Sequence, residues 1–164
     1  MQTRAATDWA GWGNFTDRRL RVRCFLFSAG AVLLPLGIAK TLSAFGNAPV
    51  VLARDPIFDI PLRELMLLAG GVEIGVASMC FCGRARNVSL ALLAMLAFAF
   101  LIYRVGLFAI GFSGSCPCLG SLADALHIPP RKADSLLKGI IGYLLLGTYF
   151  ANRWNEQISN DDNA

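Results

Sequence analysis

The chain has 164 residues, of which 55% are hydrophobic and only 16% are charged, and its formal net charge is +4. A soluble globular domain carries about 25% charged residues, so the composition argues against that class. Long uncharged runs point the same way: seventeen residues without a charge separate Arg86 from Arg104, and sixteen separate Arg23 from Lys40. Little sequence is left over for a second, soluble unit, and we expect one domain.

Four arginines lie directly before the first apolar stretch, and these are Arg18, Arg19, Arg21 and Arg23. Nucleic-acid binding is one interpretation of a basic cluster. A cluster in this position is more typical of the cytoplasmic flank of a membrane helix. We therefore expect residues 1–23 to form a polar, arginine-rich cytoplasmic segment with no nucleic-acid partner. We also expect the first apolar stretch to act as an uncleaved insertion signal, because no clear small-residue cleavage site follows it.

Four stretches are predicted to span a membrane, because about 20 mostly apolar residues cross the hydrocarbon core as a helix. They cover residues 24–45, 62–82, 88–110 and 134–154. Pro35 predicts a kink in the first stretch, and Asp134 or Ser135 is a suitable N-cap for the fourth. Lys138 lies one turn inside the fourth stretch, where its long side chain can reach the membrane surface. The predicted fold class is all-α, an integral membrane four-helix bundle, and residues 155–164 form a polar tail.

Arginine and lysine residues in short loops predict the orientation. The N-terminal cluster and the two arginines between the second and third stretches, Arg84 and Arg86, outnumber the basic residues of the other two loops. This bias predicts both termini in the cytoplasm, and the polar tail with them. We expect a multi-pass protein of the cytoplasmic (inner) membrane, surrounded by the lipid bilayer. Residues 46–61 and 111–132 then lie on the exoplasmic (periplasmic) side.

The second exoplasmic loop contains the sequence Cys116-Pro117-Cys118. Two thiols one residue apart, on the oxidising side, can close a disulfide or bind a soft metal together. So small a ring departs from preferred disulfide geometry, which makes the bond easier to reduce, and strained, exposed disulfides are the labile or catalytic ones. An inert disulfide and a pair of unpaired thiols are the alternatives. His127, in the same loop, is a candidate to assist a thiolate or to ligate a metal, and a solvated histidine is the simpler interpretation.

Three ionisable residues lie inside the predicted spans, and these are Lys40, Glu73 and Arg104. Charges at membrane depth cost roughly 2.5–3.5 kcal/mol each on insertion scales, so they usually face the bundle interior and pair. Glu73 lies between Gly71 and Gly75, and small residues four apart allow another helix to approach closely. We expect Glu73 to approach Lys40 or Arg104. The three residues are either polar support for chemistry or an ion pair that only fixes helix register.

The remaining cysteines are Cys24, Cys80 and Cys82. All three fall at the predicted cytoplasmic ends of spans, where thiols stay reduced. Free cysteines commonly behave as small buried hydrophobes. We expect no redox role for them.

The chain resembles the MauE branch of the DoxX-like membrane proteins, a family named for methylamine utilisation, over roughly residues 25–150. The resemblance rests on four spans of this size, a lysine late in the first span, a glutamate in the middle of the second, and a cysteine-x-cysteine-aromatic-glycine pattern after the third. These features are matched here by Lys40, Glu73, Cys116, Cys118 and Gly120. The sequence departs from the pattern at Leu119, where phenylalanine is frequent, and at Pro117, where glycine is frequent.

The resemblance implies a four-helix membrane protein associated with thiol–disulfide chemistry outside the cytoplasmic membrane. In methylamine utilisation such proteins are linked to the maturation of a disulfide-rich dehydrogenase subunit. The family is broad, so that substrate is not carried over to this chain.

From the residues and the resemblance together we expect a membrane component of thiol–disulfide oxidoreduction. Cys116 and Cys118 would exchange electrons with an exoplasmic partner protein that carries thiols or a disulfide. Lys40 and Arg104 are predicted on the same side of the membrane, and positive charge near a thiol favours the reactive thiolate. A membrane quinone is a candidate second electron carrier.

Two other functions fit the same residues. Thiolates are suitable ligands for Cu(I), so Cys116 and Cys118 are also candidate ligands in a copper-handling membrane protein. A non-catalytic membrane scaffold or assembly factor is the second alternative. A redox titration of the cysteines and a metal assay separate the three.

Overall fold

The computed structural model describes residues 5–46, 54–83, 86–111 and 130–162. Within these ranges the chain forms four helices, α1 (Ala5–Ala44), α2 (Leu62–Cys82), α3 (Arg86–Ala109) and α4 (Pro130–Asp162). Three helical segments in the described part of the chain are long and apolar enough to cross a membrane: Arg18–Ala44, Leu62–Cys82 and Arg86–Ala109. The all-α class is confirmed, and the three apolar helices indicate a multi-pass membrane protein.

The second and third predicted spans agree closely with the structure. α2 covers the predicted residues 62–82, and α3 begins two residues before the predicted 88 and ends one residue before the predicted 110. α2 ends at a glycine because Gly83 adopts a left-handed conformation (φ 60°) and its N–H donates to the carbonyl of Met79 at 3.3 Å. Glycine is the residue that adopts this helix-ending conformation without a steric penalty.

The first and fourth helices are longer than predicted. α1 begins at Ala5, so most of the segment 1–23 belongs to the same helix as the first span, and the helix continues through Pro35. α4 begins at Pro130, which makes the predicted start at Asp134 or Ser135 wrong. Proline fits the first turn of a helix because the N–H it lacks would have no partner there. At its other end α4 runs on to Asp162, so most of the polar tail is also helical.

Neighbouring helices are antiparallel and form an up-and-down bundle. Ser28 of α1 lies 2.6 Å from Tyr143 of α4, between the two hydroxyl oxygens. Asn155 of α4 donates to Asn87 of α3 at 2.8 Å, and α2 and α3 meet where Ser89 donates to the carbonyl of Met79 at 3.3 Å. Each helix therefore packs against the helices before and after it, and α4 closes the bundle against α1.

Each helix contributes a completely buried residue to the core, and these are Leu33, Ala77, Leu93 and Leu144. The outside of the bundle is also apolar: Phe108, for example, is 87% exposed, and many other large hydrophobic side chains face outward. A helix that is hydrophobic on all sides is either buried in a large protein or surrounded by lipid. For a bundle of this size the second environment fits the surface.

α1 and α2 approach each other most closely at Gly37 and Gly70. A Cβ atom at Gly37 would lie 2.9 Å from the carbonyl oxygen of Gly70, and one at Gly70 would lie 2.8 Å from the carbonyl oxygen of Gly37. The prediction that Gly71 and Gly75 provide the close approach is wrong, because a Cβ atom at either position would meet nothing within 4 Å. Residues two apart on a helix point about 200° apart, so both glycines face away from Glu73, which lies between them.

The two ends of the bundle are named here by a residue each. The Asp55 end holds the C-terminus of α1, the segment Arg54–Pro61, the N-terminus of α2, the C-terminus of α3 and the N-terminus of α4. The Arg86 end holds the C-terminus of α2 and the N-terminus of α3.

Candidate functional site

Lys40 and Glu73 form a buried ion pair between α1 and α2. The Lys40 ammonium donates to Glu73 Oε1, and the side chains are 6% and 0% exposed. The predicted approach of Glu73 to a basic residue in the bundle interior is confirmed, with Lys40 as its partner. A charge in the interior of a membrane helix bundle is expensive, and pairing with an opposite charge is the usual solution.

The glycine contact between the helices explains why these two side chains meet. Lys40 follows Gly37 by three residues, and Glu73 follows Gly70 by three residues. Residues three apart share one face of a helix, so the close approach at Gly37 and Gly70 brings both charged side chains to the same interface. The positions of Gly37 and Gly70 in the sequence therefore determine where the ion pair forms.

Phe100 links this ion pair to α3. The Lys40 ammonium lies 4.9 Å from the centre of the Phe100 ring, within the range of a cation–π contact. The aromatic face thus supplies a second favourable contact for a charge that is shielded from water. Three helices meet at Lys40.

Asp55 and Tyr103 form a second polar pair, nearer the end of the bundle. The Tyr103 hydroxyl donates to Asp55 Oδ2 at 2.5 Å, and Asp55 is only 1% exposed. Its other oxygen, Oδ1, accepts from the backbone N–H groups of Ile57 and Phe58, both at 2.9 Å. Both carboxylate oxygens of Asp55 are therefore bonded, and they attach the segment Arg54–Pro61 to α3.

The segment Arg54–Pro61 is itself compactly folded. The Asp55 N–H donates to the carbonyl of Ile60, and the Asp59 N–H donates to the carbonyl of Asp55, each at 2.9 Å. Asp59 adopts a positive φ of 53° and accepts from Arg54 at 3.2 Å in a pair that is largely exposed. The Phe58 ring stacks on Tyr103, with ring centres 6.2 Å apart and planes 4° apart. The segment is thus held by an aromatic contact as well as by Asp55.

α3 contacts both pairs, the first through Phe100 and the second through Tyr103. Phe100 and Tyr103 are three residues apart and share a helix face, so the contacts run from the segment Arg54–Pro61 into the bundle interior. We call the buried residues Lys40, Asp55 and Glu73, together with the half-buried rings of Phe100 and Tyr103 that contact them, the buried polar cluster. Arg104, the third predicted support residue, follows Tyr103 directly and is half-buried.

Glu73 has chemical capacity that the ion pair does not use. Its second oxygen, Oε2, is buried and has no hydrogen-bond partner among the described residues. A buried carboxylate oxygen without a partner is costly, and it can accept a hydrogen bond or hold a proton. An ionisable group with free capacity inside a membrane bundle is a functional candidate by default.

The predicted redox pair, Cys116 and Cys118, lies outside the described residues, as do Pro117 and His127. Their place in the chain is nonetheless defined, because α3 ends and α4 begins at the Asp55 end. Of the buried polar cluster, Asp55 and Tyr103 lie at that same end, and Glu73 lies in the middle of α2.

The other three cysteines lie toward the opposite end. Cys24, Cys80 and Cys82 are free thiols, and of these Cys80 is buried. Within the part of the chain that the structure describes, no group of three or more histidine, cysteine or acidic side chains is placed to hold a metal ion.

Sequence reasoning missed Asp55 and Tyr103 as partners. Asp55 falls within the predicted loop 46–61, and Tyr103 falls within the third predicted span, so the sequence gives no reason to pair them. The available signal was the dipeptide Asp55-Pro56, because aspartate before proline favours a turn in which its carboxylate accepts backbone N–H groups. That signal predicts the turn, but not the contact with a tyrosine 48 residues away.

Comparison with known proteins identifies no matching family model, no matching curated protein and no matching solved structure.

Proposed function

We propose that this protein is a four-span membrane component of thiol–disulfide exchange, similar to the MauE branch of the DoxX-like proteins. The fourth crossing would be made by α4, and both termini would lie in the cytoplasm. The apolar surface of the bundle and the arginine bias toward the Arg86 end support this arrangement. The Asp55 end then faces the exoplasmic side, which is the oxidising side of a cytoplasmic membrane.

The proposed chemistry is exchange between the Cys116–Cys118 disulfide and a dithiol in a partner protein. A partner thiolate attacks one sulfur of the disulfide, which forms a mixed disulfide and releases the other cysteine as a thiolate. The second partner thiolate then attacks the mixed disulfide. The partner leaves with a disulfide, and Cys116 and Cys118 are left as two thiols that hold the two electrons.

Renewal of the Cys116–Cys118 disulfide requires an acceptor for two electrons and two protons. A membrane quinone is the proposed acceptor class, because it dissolves in the bilayer and becomes a quinol on accepting them. In this scheme maturation of a disulfide-containing exoplasmic protein is the overall result.

The observation that carries the proposal is the buried polar cluster itself, which begins at the end of the bundle where α3 ends and α4 begins. In the sequence Cys116 and Cys118 fall between α3 and α4, whose nearer termini lie at the Asp55 end. Asp55 and Tyr103 hold the segment Arg54–Pro61 at that end, and the cluster extends from there to Lys40 and Glu73 in the interior of the bundle. Stability alone does not explain such a cluster, because replacing a buried ion pair by apolar residues is often neutral or stabilising. Its presence supports a role in the proposed chemistry of Cys116 and Cys118.

A redox titration of the purified protein in detergent tests the proposal. The protein is equilibrated in glutathione buffers of stepped potential, its thiols are alkylated, and its mass is measured. We expect one two-electron transition that disappears when Cys116 and Cys118 are both replaced by serine. The Cys24→Ser, Cys80→Ser, Cys82→Ser triple variant is the matched control and should keep the transition.

Copper content measured on the same samples distinguishes the rival functions. Stoichiometric copper that depends on Cys116 and Cys118, without a two-electron transition, would favour metal handling. The absence of both signals would favour a non-catalytic scaffold.

A further inference from the structure

A cleft of about 970 Å³ opens at the Arg86 end, between the α1 segment near Arg23, the C-terminus of α2 and the N-terminus of α3. It lies on the opposite end of the bundle from the buried polar cluster. The proposed thiol chemistry does not use it.

Part of the cleft wall is apolar. Phe27 of α1 and Phe81 of α2 contact each other edge to face, with ring centres 5.2 Å apart, and Leu26 and Val88 also line it. Phe27, Phe81 and Val88 are substantially exposed. Such a surface suits a hydrocarbon chain.

The rim of the cleft is basic. Arg23 and Arg86 both line it, and the described residues that line it include no aspartate or glutamate. The Nε atom of Arg86 is buried and has no hydrogen-bond partner among the described residues. A guanidinium group provides several donors in a fixed plane that match the oxygens of a phosphate.

The N-terminus of α3 adds to the positive potential. Arg86, Asn87 and Val88 form its first turn and line the cleft. The helix dipole places partial positive charge there, so an anion is favoured at this position.

We propose that this cleft binds an anionic phospholipid, with the phosphate between Arg23 and Arg86 and an acyl chain against Phe27 and Phe81. Basic pockets between membrane helices on the cytoplasmic side are suited to acidic lipid head groups. A lipid satisfies both features at once, because its phosphate matches the arginines and its chain matches the aromatic wall. The proposal rests on the membrane insertion and orientation proposed above and not on the thiol chemistry.

Native mass spectrometry of the purified full chain in detergent tests the proposal. Phosphatidylglycerol and phosphatidylcholine with identical acyl chains are added at equal concentration. We expect the wild-type protein to retain one phosphatidylglycerol in preference to phosphatidylcholine. Equal retention of the two lipids by the wild-type protein overturns the proposal without reference to any variant.

Variants then locate the site. We expect Arg23→Gln and Arg86→Gln each to lower phosphatidylglycerol retention about tenfold, since each removes a charge-assisted hydrogen bond to the phosphate, which contributes on that scale. Arg153→Gln is the matched control: it removes the same charge from an exposed position of α4 outside the cleft and should change retention less than about twofold. An effect of Arg153→Gln equal to that of Arg23→Gln would show general surface attraction and would contradict a defined site.

Two further arms separate the lipid from a free anion. Phe81→Ala keeps both arginines and should weaken phosphatidylglycerol retention, because it removes part of the apolar wall. Inorganic phosphate at the concentration of the lipid should not displace it. Full retention by Phe81→Ala, or displacement by inorganic phosphate, would show that the acyl chain is not bound in the cleft. Unchanged helical circular dichroism is required of each variant.

Discussion

The Lys40 ammonium and the Glu73 carboxylate meet in the interior of the bundle, although the two residues are 33 positions apart in the chain. Their contact depends on two glycines one turn away, Gly37 and Gly70, which let α1 and α2 approach closely. Lys40 also contacts the Phe100 ring of α3. One ion pair therefore reports on the packing of three helices.

Removal of one charge from this pair should destabilise the bundle strongly. Lys40→Met leaves Glu73 buried without its partner, and loss of one member of a buried pair costs about 3–5 kcal/mol. Glu73→Gln should cost less, because the amide can still accept a hydrogen bond from Lys40. The Lys40→Met, Glu73→Leu double variant should recover most of the loss. Thermal unfolding in detergent measures all three, and a double variant less stable than both single variants would contradict the pairing.

The glycine contact makes a prediction with a built-in control. Gly70→Ala should destabilise the protein by about 1–3 kcal/mol, the usual cost of overpacking, because its Cβ atom would lie 2.6 Å from Thr41 Oγ1 and 2.8 Å from the Gly37 carbonyl oxygen. Gly71→Ala adds the same methyl group to an open position of the same helix. It should be neutral or stabilise by up to about 1 kcal/mol through helix propensity. Equal unfolding temperatures for the two variants would argue against the observed helix interface.

The anchoring of the segment Arg54–Pro61 should depend on Tyr103 and Asp55 to different degrees. Tyr103→Phe removes one hydrogen bond to a buried carboxylate, a loss of about 1.5–3 kcal/mol. Asp55→Ala also removes the acceptor for two backbone N–H groups, so it should release the segment more completely. Hydrogen exchange at the Ile57 and Phe58 amides should rise in the order wild type, Tyr103→Phe, Asp55→Ala. Asp59→Asn, at an exposed position, is the control. If it reduced the protection of the Ile57 and Phe58 amides as much as Asp55→Ala does, Asp55 would not be the anchor of the segment.

The structure also shows which features could be predicted from the sequence. α2 and α3 were predictable because each is a long apolar run bounded by polar residues, and the pairing of Glu73 followed from the cost of an unpaired charge inside a membrane helix. The packing glycines were predicted wrongly. Gly71 and Gly75 flank Glu73 symmetrically in the sequence, but they point away from the helical face on which Glu73 lies.

The contact between Asp55 and Tyr103 could not be predicted for a different reason. It depends on how the segment Arg54–Pro61 folds back onto α3, and that fold combines a turn, a stacked aromatic pair and a residue with positive φ. None of these has a helical period that sequence reasoning can detect. The start of α4 was predicted wrongly because Asp134 and Ser135 are residue types that commonly cap helices, whereas the helix begins earlier, with Pro130 in its first turn.

In the proposed function, Cys116 and Cys118 cycle together between dithiol and disulfide on the exoplasmic side. Differential alkylation of intact cells tests it most directly, with a membrane-impermeant maleimide applied before and after a mild reductant. We expect Cys116 and Cys118 to become labelled together only after reduction, and Cys24, Cys80 and Cys82 to react only after the membrane is permeabilised. Labelling of Cys116 or Cys118 that requires permeabilisation would contradict the orientation and the redox function built on it. Labelling of both cysteines without the reductant would contradict the redox function.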